Sequence, residues 1–149
     1  MTTHPYLRAY LAGIFVPTLI LPVMLTAFIV LRLGLQVSVP IEHGLIFPMA
    51  AVPALWGLWN VLWLASHTRT HLDVGPHGAI LPALLVPCGA VLARHLGILV
   101  LGANQATWFN AISAPYALIA VGFCCGVAVY YLVWKYIVGF INCVLGIAS

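Results

Sequence analysis

The chain has 149 residues, of which 64% are hydrophobic and 5% are charged, and its formal net charge is +3. Soluble domains carry about 25% charged residues, so lipid must be the solvent for most of this chain. The few cations are dispersed along the sequence, which excludes the clustered basic surface of a nucleic-acid-binding protein. Anionic lipid headgroups are their natural counter-charge.

Four apolar runs follow one another along the chain, and charged or turn-forming residues bound them. They cover residues 10–33, 44–66, 78–101 and 113–136. Each is long enough to cross a hydrocarbon core of about 30 Å at about 1.5 Å per residue. Backbone groups in lipid must be hydrogen-bonded within their own segment. The sequence therefore predicts an all-α integral membrane bundle of four transmembrane helices.

The connections between these runs are short and cover residues 34–43, 67–77 and 102–112. Consecutive helices joined in this way are antiparallel neighbours, so residues 1–149 are expected to form a single domain. The apolar tail, residues 137–149, is too short to span the membrane again. It either extends the fourth helix or lies in the membrane interface.

The basic residues near the helix ends predict an orientation. Arg8, Arg69 and Lys135 fall on one side of the membrane, and Arg32 and Arg94 fall on the other. Because cytoplasmic loops carry the excess of Lys and Arg, three cations against two place both termini in the cytoplasm. The compact design with short loops is typical of a bacterial cytoplasmic membrane protein.

The first three runs each carry two prolines five residues apart, with a glycine four residues before the first proline. The triplets are Gly13, Pro17 and Pro22; Gly44, Pro48 and Pro53; and Gly78, Pro82 and Pro87. Adjacent helices run in opposite directions, so neighbouring units would be related by inverted topology. Paired prolines bend helices and can form a transporter-like cavity or hinge, but prolines are also common in membrane helices without any special role.

Polar residues at the end formed by the first and third loops make a candidate anion site. An Arg94–Glu42 pair would neutralise both groups, and His95 or Arg32 would then be available to a phosphate or carboxylate. The alternative is that both arginines reach the lipid phosphates and that Glu42 is solvated.

An aromatic face on the second helix is a second candidate for ligand binding. Trp56, Asn60 and Trp63 share one helical face by their spacing. An asparagine within the membrane either hydrogen-bonds across a helix interface or contacts a ligand. The tryptophans would stack on a quinone or another flat ligand, or form the interfacial aromatic belt.

Histidines at the opposite end suggest a weak metal site. His67, His71, Asp73 and His77 are plausible ligands for zinc or nickel, although their spacing matches no specific motif. Histidines in such a loop more often belong to a solvated turn that faces the lipid headgroups. A haem would need two histidines from different helices at one depth. Haem or quinone is therefore possible, and no cofactor is favoured.

Small residues predict close helix packing on the last two helices. Gly89, Ala93 and Gly97 repeat at intervals of four on the third helix, and Gly122 and Gly126 form a Gly-x-x-x-Gly on the fourth. Such spacing lets another backbone approach closely. A four-helix chain has room to use one groove internally and to leave the other for a partner.

These patterns favour a small membrane protein that acts through interaction, either as a homo-oligomer or as an accessory subunit of a membrane complex. The chain has one aspartate and one glutamate, and no hydrolase or phosphate-binding motif is present, which argues against an enzyme. One alternative is a carrier or channel for a small anionic or amphiphilic ligand. Another is a redox subunit that binds haem or quinone.

Overall fold

A computed structural model describes residues 4–36 and 47–147, and it confirms the all-α fold with four long helices. The α-helical segments are α1 (Pro5–Ile29), α2 (Phe47–Thr70), α3 (Val74–His95), α4 (Tyr116–Leu132) and a short α5 (Gly139–Val144). A π-helical turn, Val30–Gly34, prolongs α1, and a second one, Val133–Val138, joins α4 to α5. The apolar tail therefore extends the fourth helix as far as Val144.

Three of the long helices are apolar enough to cross a membrane, which makes the protein a membrane protein. They cover Pro5–Gly34, Val74–His95 and Tyr116–Val144. The described part of α2 is less apolar because three tryptophans and Asn60 interrupt it. The structure places these residues of α2 against the other helices.

The third helix ends at His95, six residues before the predicted end at residue 101. The amide of Ile98 donates to the Ala93 carbonyl at 2.8 Å, and the amide of Gly97 donates to the Arg94 carbonyl at 3.1 Å. This is the Schellman termination, which requires a residue with positive φ, and Gly97 has a φ of 71°. Gly97 therefore terminates the helix and does not belong to a packing stripe within it.

A small antiparallel sheet fills the connection that was predicted as a loop between the third and fourth helices. Its strands are β1 (Leu99–Leu101), β2 (Gln105–Trp108) and β3 (Ile112–Pro115), in that order. Phe109 and Asn110 both have positive φ, and the Ala111 amide donates to the Trp108 carbonyl at 3.0 Å. These features define the type I′ turn that suits a tight hairpin.

Apart from Leu99 and Ala106 in the sheet, the buried residues gather at one end of the bundle, which we call the closed end. It contains the start of α1, the α2–α3 turn and the end of α5. Within the described residues, nothing beyond Pro17 in α1 or beyond Pro82 in α3 is buried. The opposite half, called the open end, carries the sheet and exposes apolar side chains along every helix.

Glycines bring the helices of the closed end into close contact. A Cβ atom added at Gly13 would lie 2.5 Å from the Trp56 carbonyl oxygen, and one added at Gly57 would lie 2.6 Å from the Tyr10 ring. The backbones of α1 and α2 are therefore closer than any larger residue would permit. On the other side of the bundle, a Cβ at Gly78 would overlap the Trp134 side chain.

Four of the five buried positions in each of α1 and α3 coincide when the first and third proline units are aligned. The matching pairs are Ala12 with His77, Gly13 with Gly78, Val16 with Leu81, and Pro17 with Pro82. Because α1 and α3 run in the same direction, this repeat relates parallel helices, as a rotation about the membrane normal does. The inverted relation predicted for the second unit involves Gly44, which lies outside the described residues.

The first prediction compares two glycines of α3. Gly78→Ala should destabilise the protein by about 1–3 kcal/mol, because its new methyl group overlaps the Trp134 side chain. Gly89→Ala is the matched control, since a Cβ there meets no atom within 4 Å, and it should leave stability unchanged or raise it slightly. Thermal unfolding in detergent measures both, and equal melting temperatures would contradict the close contact.

Candidate functional site

Two buried asparagines connect three helices at the closed end. Asn60 Nδ2 donates to Asn142 Oδ1 at 2.8 Å, and Asn142 Nδ2 donates back to Asn60 Oδ1 at 3.2 Å. Asn60 Nδ2 also donates to the Ala9 carbonyl at 2.8 Å. The two side chains are 0% and 1% exposed. Asn60 thus hydrogen-bonds across a helix interface, which is one of the two roles that its sequence context allowed.

A second reciprocal contact joins α2 to α3. Trp59 Nε1 donates to the His77 carbonyl at 2.9 Å, and His77 Nε2 lies 3.1 Å from the Trp59 carbonyl. The two rings are stacked, with centroids 4.7 Å apart. One turn further along α2, Trp63 Nε1 donates to the Leu72 carbonyl at 3.0 Å. These bonds place Asn60 level with the first turns of α3, near one end of that helix.

The tryptophan pair Trp56 and Trp134 lies where the two helical hairpins meet. Their ring centroids are 5.3 Å apart, and Trp56 also packs on Tyr130 at 5.1 Å. Neither indole N–H has a hydrogen-bond partner within the described part of the chain. Both rings are at least 95% buried, so Trp56 serves helix packing here.

The end of the chain returns to the start of α1. Gly146 has a φ of 65° and terminates α5 with the same two backbone bonds that Gly97 makes at the end of α3. This termination leaves the Leu145 carbonyl free to accept a hydrogen bond from Arg8 Nη1 at 3.1 Å. The cation of α1 therefore neutralises part of the negative helix terminus of α5.

A pocket of about 220 Å³ opens at the closed end beside the asparagine pair. Asp73, Lys135, Tyr131, Trp63 and Asn142 are among the residues that line it. Lys135 Nζ donates to the Tyr131 hydroxyl at 3.3 Å and lies 5.5 Å from the centre of that ring. Asn60 does not line the pocket, because Asn142 lies between it and the cavity.

The residues of the predicted anion site lie at the open end. Arg94 and His95 occupy the exposed last turn of α3, and Arg32 lies in the π-helical turn that prolongs α1. Glu42, the expected partner of Arg94, lies outside the described residues. The Arg94–Glu42 pair therefore stays a prediction, and the structure puts this end far from Asn60 and Trp56.

The four predicted metal ligands do not come together. His77 faces Trp59 inside the bundle, whereas His67 stacks on Trp63 with ring centroids 5.0 Å apart. In the described ranges, no three His, Cys, Asp or Glu side chains form a group that suits a metal. Asp73 lines the pocket instead. His77 is the one buried histidine of residues 4–36 and 47–147.

The predicted packing glycines fall on surfaces that the chain itself leaves open. A Cβ added at Gly89, Gly122 or Gly126 meets no atom within 4 Å, and Ala93 is partly exposed. The three glycines therefore leave open space beside them within the described chain. Their packing role therefore stays a prediction that concerns a partner.

Sequence reasoning missed the contribution of the chain's end to this site. The fourth predicted helix ends at residue 136, so Trp134 and Lys135 fall in its last turn, and Asn142 falls in the apolar tail, residues 137–149. The available signal was the polar Asn142 within an apolar segment, at a distance from Trp134 that fits about two helical turns. Only a continuous helix through residue 144 brings Lys135 and Asn142 to the same pocket.

Comparisons with models of known protein families, with curated proteins and with solved structures found no match to this chain.

The second prediction concerns the asparagine pair. Asn60→Leu and Asn142→Leu should each destabilise the protein by about 1–3 kcal/mol, because each leaves the other amide buried without its partner. The double variant should be more stable than the sum of the two losses predicts, since it removes both polar groups together. Unfolding of the four proteins in one detergent gives the coupling energy, and strict additivity would contradict the pair.

Proposed function

We propose that the protein is a membrane-embedded assembly unit that associates with a second copy of itself through α4. The observation that carries this proposal is the notch at Gly122 and Gly126, where an added Cβ would meet no atom within 4 Å. In a membrane, helices associate through small residues that let backbones approach closely. An open notch of this kind on a long apolar helix offers a place for another helix.

The other close-packing glycines of the chain support this contrast. Gly13, Gly57 and Gly78 lie at the closed end, and neighbouring atoms fill the space beside each of them. The space beside these glycines is thus filled where helices of the same chain meet, whereas the space beside Gly122 and Gly126 is empty. Like Gly89 on α3, the α4 notch is a part of this packing system that the described chain leaves unused, and it alone has two open glycines four residues apart among the described helices.

The residues around the notch are suited to pairing between identical helices. Leu118 and Val129 lie on the same face of α4, at i−4 from Gly122 and i+3 from Gly126, and they are 61% and 55% exposed. A protruding apolar side chain on one helix fits beside the glycines of the other, and the reverse contact forms by symmetry. This self-complementarity is what a two-fold interface requires.

The third prediction tests the interface by mutation. In gently extracted protein, Gly122→Leu together with Gly126→Leu should raise the dissociation constant of the dimer by about tenfold or more, because two isobutyl groups fill the notch. The matched control is Ala120→Leu with Ala128→Leu, which adds similar bulk on the opposite, exposed face of the same helix. Mass measurement of the protein–detergent particle over a dilution series gives the constants.

Three outcomes discriminate between the possible roles. Loss of the dimer in the notch variant but not in the control supports self-association through α4. A monomer at all concentrations, together with one stoichiometric co-purifying membrane protein that the notch variant loses, would assign the same surface to an accessory subunit instead. A monomer without such a partner, unaffected by either variant, would contradict the proposal.

We also propose that the closed end faces the cytoplasm of a bacterial cell. Arg8, Arg69 and Lys135 belong to this end, and Arg32 and Arg94 belong to the other. The positive-inside tendency therefore places both termini in the cytoplasm. A C-terminal reporter that is active only in the cytoplasm should be active, and this is the fourth prediction; activity only of a periplasmic reporter would reverse the orientation.

A further inference from the structure

The pocket at the closed end carries two opposite charges, which attract each other across it without forming an ion pair. Asp73 and Lys135 both line it and both are exposed, yet no ion pair within 4.0 Å joins them in the described residues. Asp73 is the N-cap residue of α3, but its side chain makes no capping hydrogen bond, although aspartate commonly makes one there. Its carboxylate is therefore available to a cation in the pocket.

The inner wall of the pocket supplies further polar contacts. Asn142 is 1% exposed and reaches the pocket, and the bonds to Asn60 use only part of its hydrogen-bonding capacity. Trp63 and Tyr131 add aromatic surface, which binds cationic groups by cation–π interaction. Lys135 lies 3.3 Å from the Tyr131 hydroxyl, which holds the ammonium group at the edge of the cavity.

The pocket lies at the depth of the lipid headgroups. The 22 residues of α3 give a length of about 33 Å, close to the hydrocarbon thickness of about 30 Å. The two ends of α3 therefore mark the two membrane interfaces. Asp73 immediately precedes α3, and a Cβ added at Gly75 would lie 3.0 Å from Lys135 Cβ, so both charges belong to one interface.

The size of the pocket suits a small charged group. A volume of about 220 Å³ equals that of about seven waters at about 30 Å³ each, which is close to the size of a phosphoethanolamine group. A group with one negative and one positive charge neutralises both walls at once, whereas a simple anion leaves Asp73 in repulsion.

From this arrangement we infer that the pocket binds a phosphate-containing zwitterion at the membrane interface, with the phosphate on Lys135 and the amine on Asp73. The chemistry is that of a zwitterionic phospholipid headgroup or of the corresponding soluble phospho-amino alcohol. This inference is independent of the α4 interface, because Gly122 and Gly126 do not line the pocket.

The fifth prediction measures lipid selectivity directly. Native mass spectrometry of the detergent-solubilised protein with phosphatidylethanolamine, phosphatidylcholine and phosphatidylglycerol of equal chain length should show several-fold preferential retention of the zwitterionic lipids. Lys135→Gln should weaken retention of all three lipids by about tenfold, because the charge-assisted contact to phosphate is lost. Asp73→Asn should shift the preference towards phosphatidylglycerol, because only the cation remains.

Two controls isolate the pocket from general lipid binding. Arg94→Gln removes an exposed cation at the other end of α3 and should leave the selectivity unchanged. Lys135→Arg keeps the charge and should retain it. Thermal unfolding of each variant checks the fold, which these exposed substitutions should not alter.

Soluble phosphoethanolamine distinguishes the two sources of the ligand. If it displaces the lipid at millimolar concentration, the site recognises the zwitterion itself; if only the lipid binds, the acyl chains are also required. Both results support the site. Equal retention of the three lipids, a preference of the unaltered protein for phosphatidylglycerol, or a preference that neither Lys135→Gln nor Asp73→Asn changes would overturn it.

Discussion

The reciprocal amide pair between Asn60 and Asn142 is the constraint on which the closed end depends. Lipid provides no hydrophobic force between helices, because its chains are as apolar as the side chains. A primary amide taken out of water must find its own partners. Each asparagine finds one in the other, and Asn60 finds a second in the Ala9 carbonyl of α1. Their pairing fixes the register of α2 against α5. This register sets the positions of the neighbouring residues on both helices.

Close packing at small residues provides the other contacts that hold the helices together. Gly13 and Gly57 bring α1 and α2 together, and Gly78 receives the Trp134 ring from the last long helix. Aromatic rings then fill the space between the two hairpins, with Trp56 against Trp134. The parallel match between the buried positions of α1 and α3 shows that both hairpins use the glycine–proline unit in the same way.

The two ends of the molecule differ in chemistry, and the two proposals follow from that difference. The closed end contains polar pairs, a pocket and opposite charges at headgroup depth, which suits recognition of a small charged group. The open end exposes apolar side chains and the Gly122–Gly126 notch, which suits contact with another helix. The π-helical turn Val133–Val138 connects them: it directs Trp134 into the core and leaves Lys135 at the pocket, as π-helical insertions often do at functional positions.

The sequence by itself determined that lipid surrounds most of the chain, how many helices form and roughly where they lie. These properties depend on local composition and length. The sequence also placed Trp56, Asn60 and Trp63 on one face, since helical periodicity is local. Only the tertiary structure decided that Asn60 pairs with Asn142 and that His77 turns inward while Asp73 faces a pocket. These outcomes depend on contacts between residues up to 82 positions apart, and no local pattern specifies which of several polar residues will meet across a helix interface.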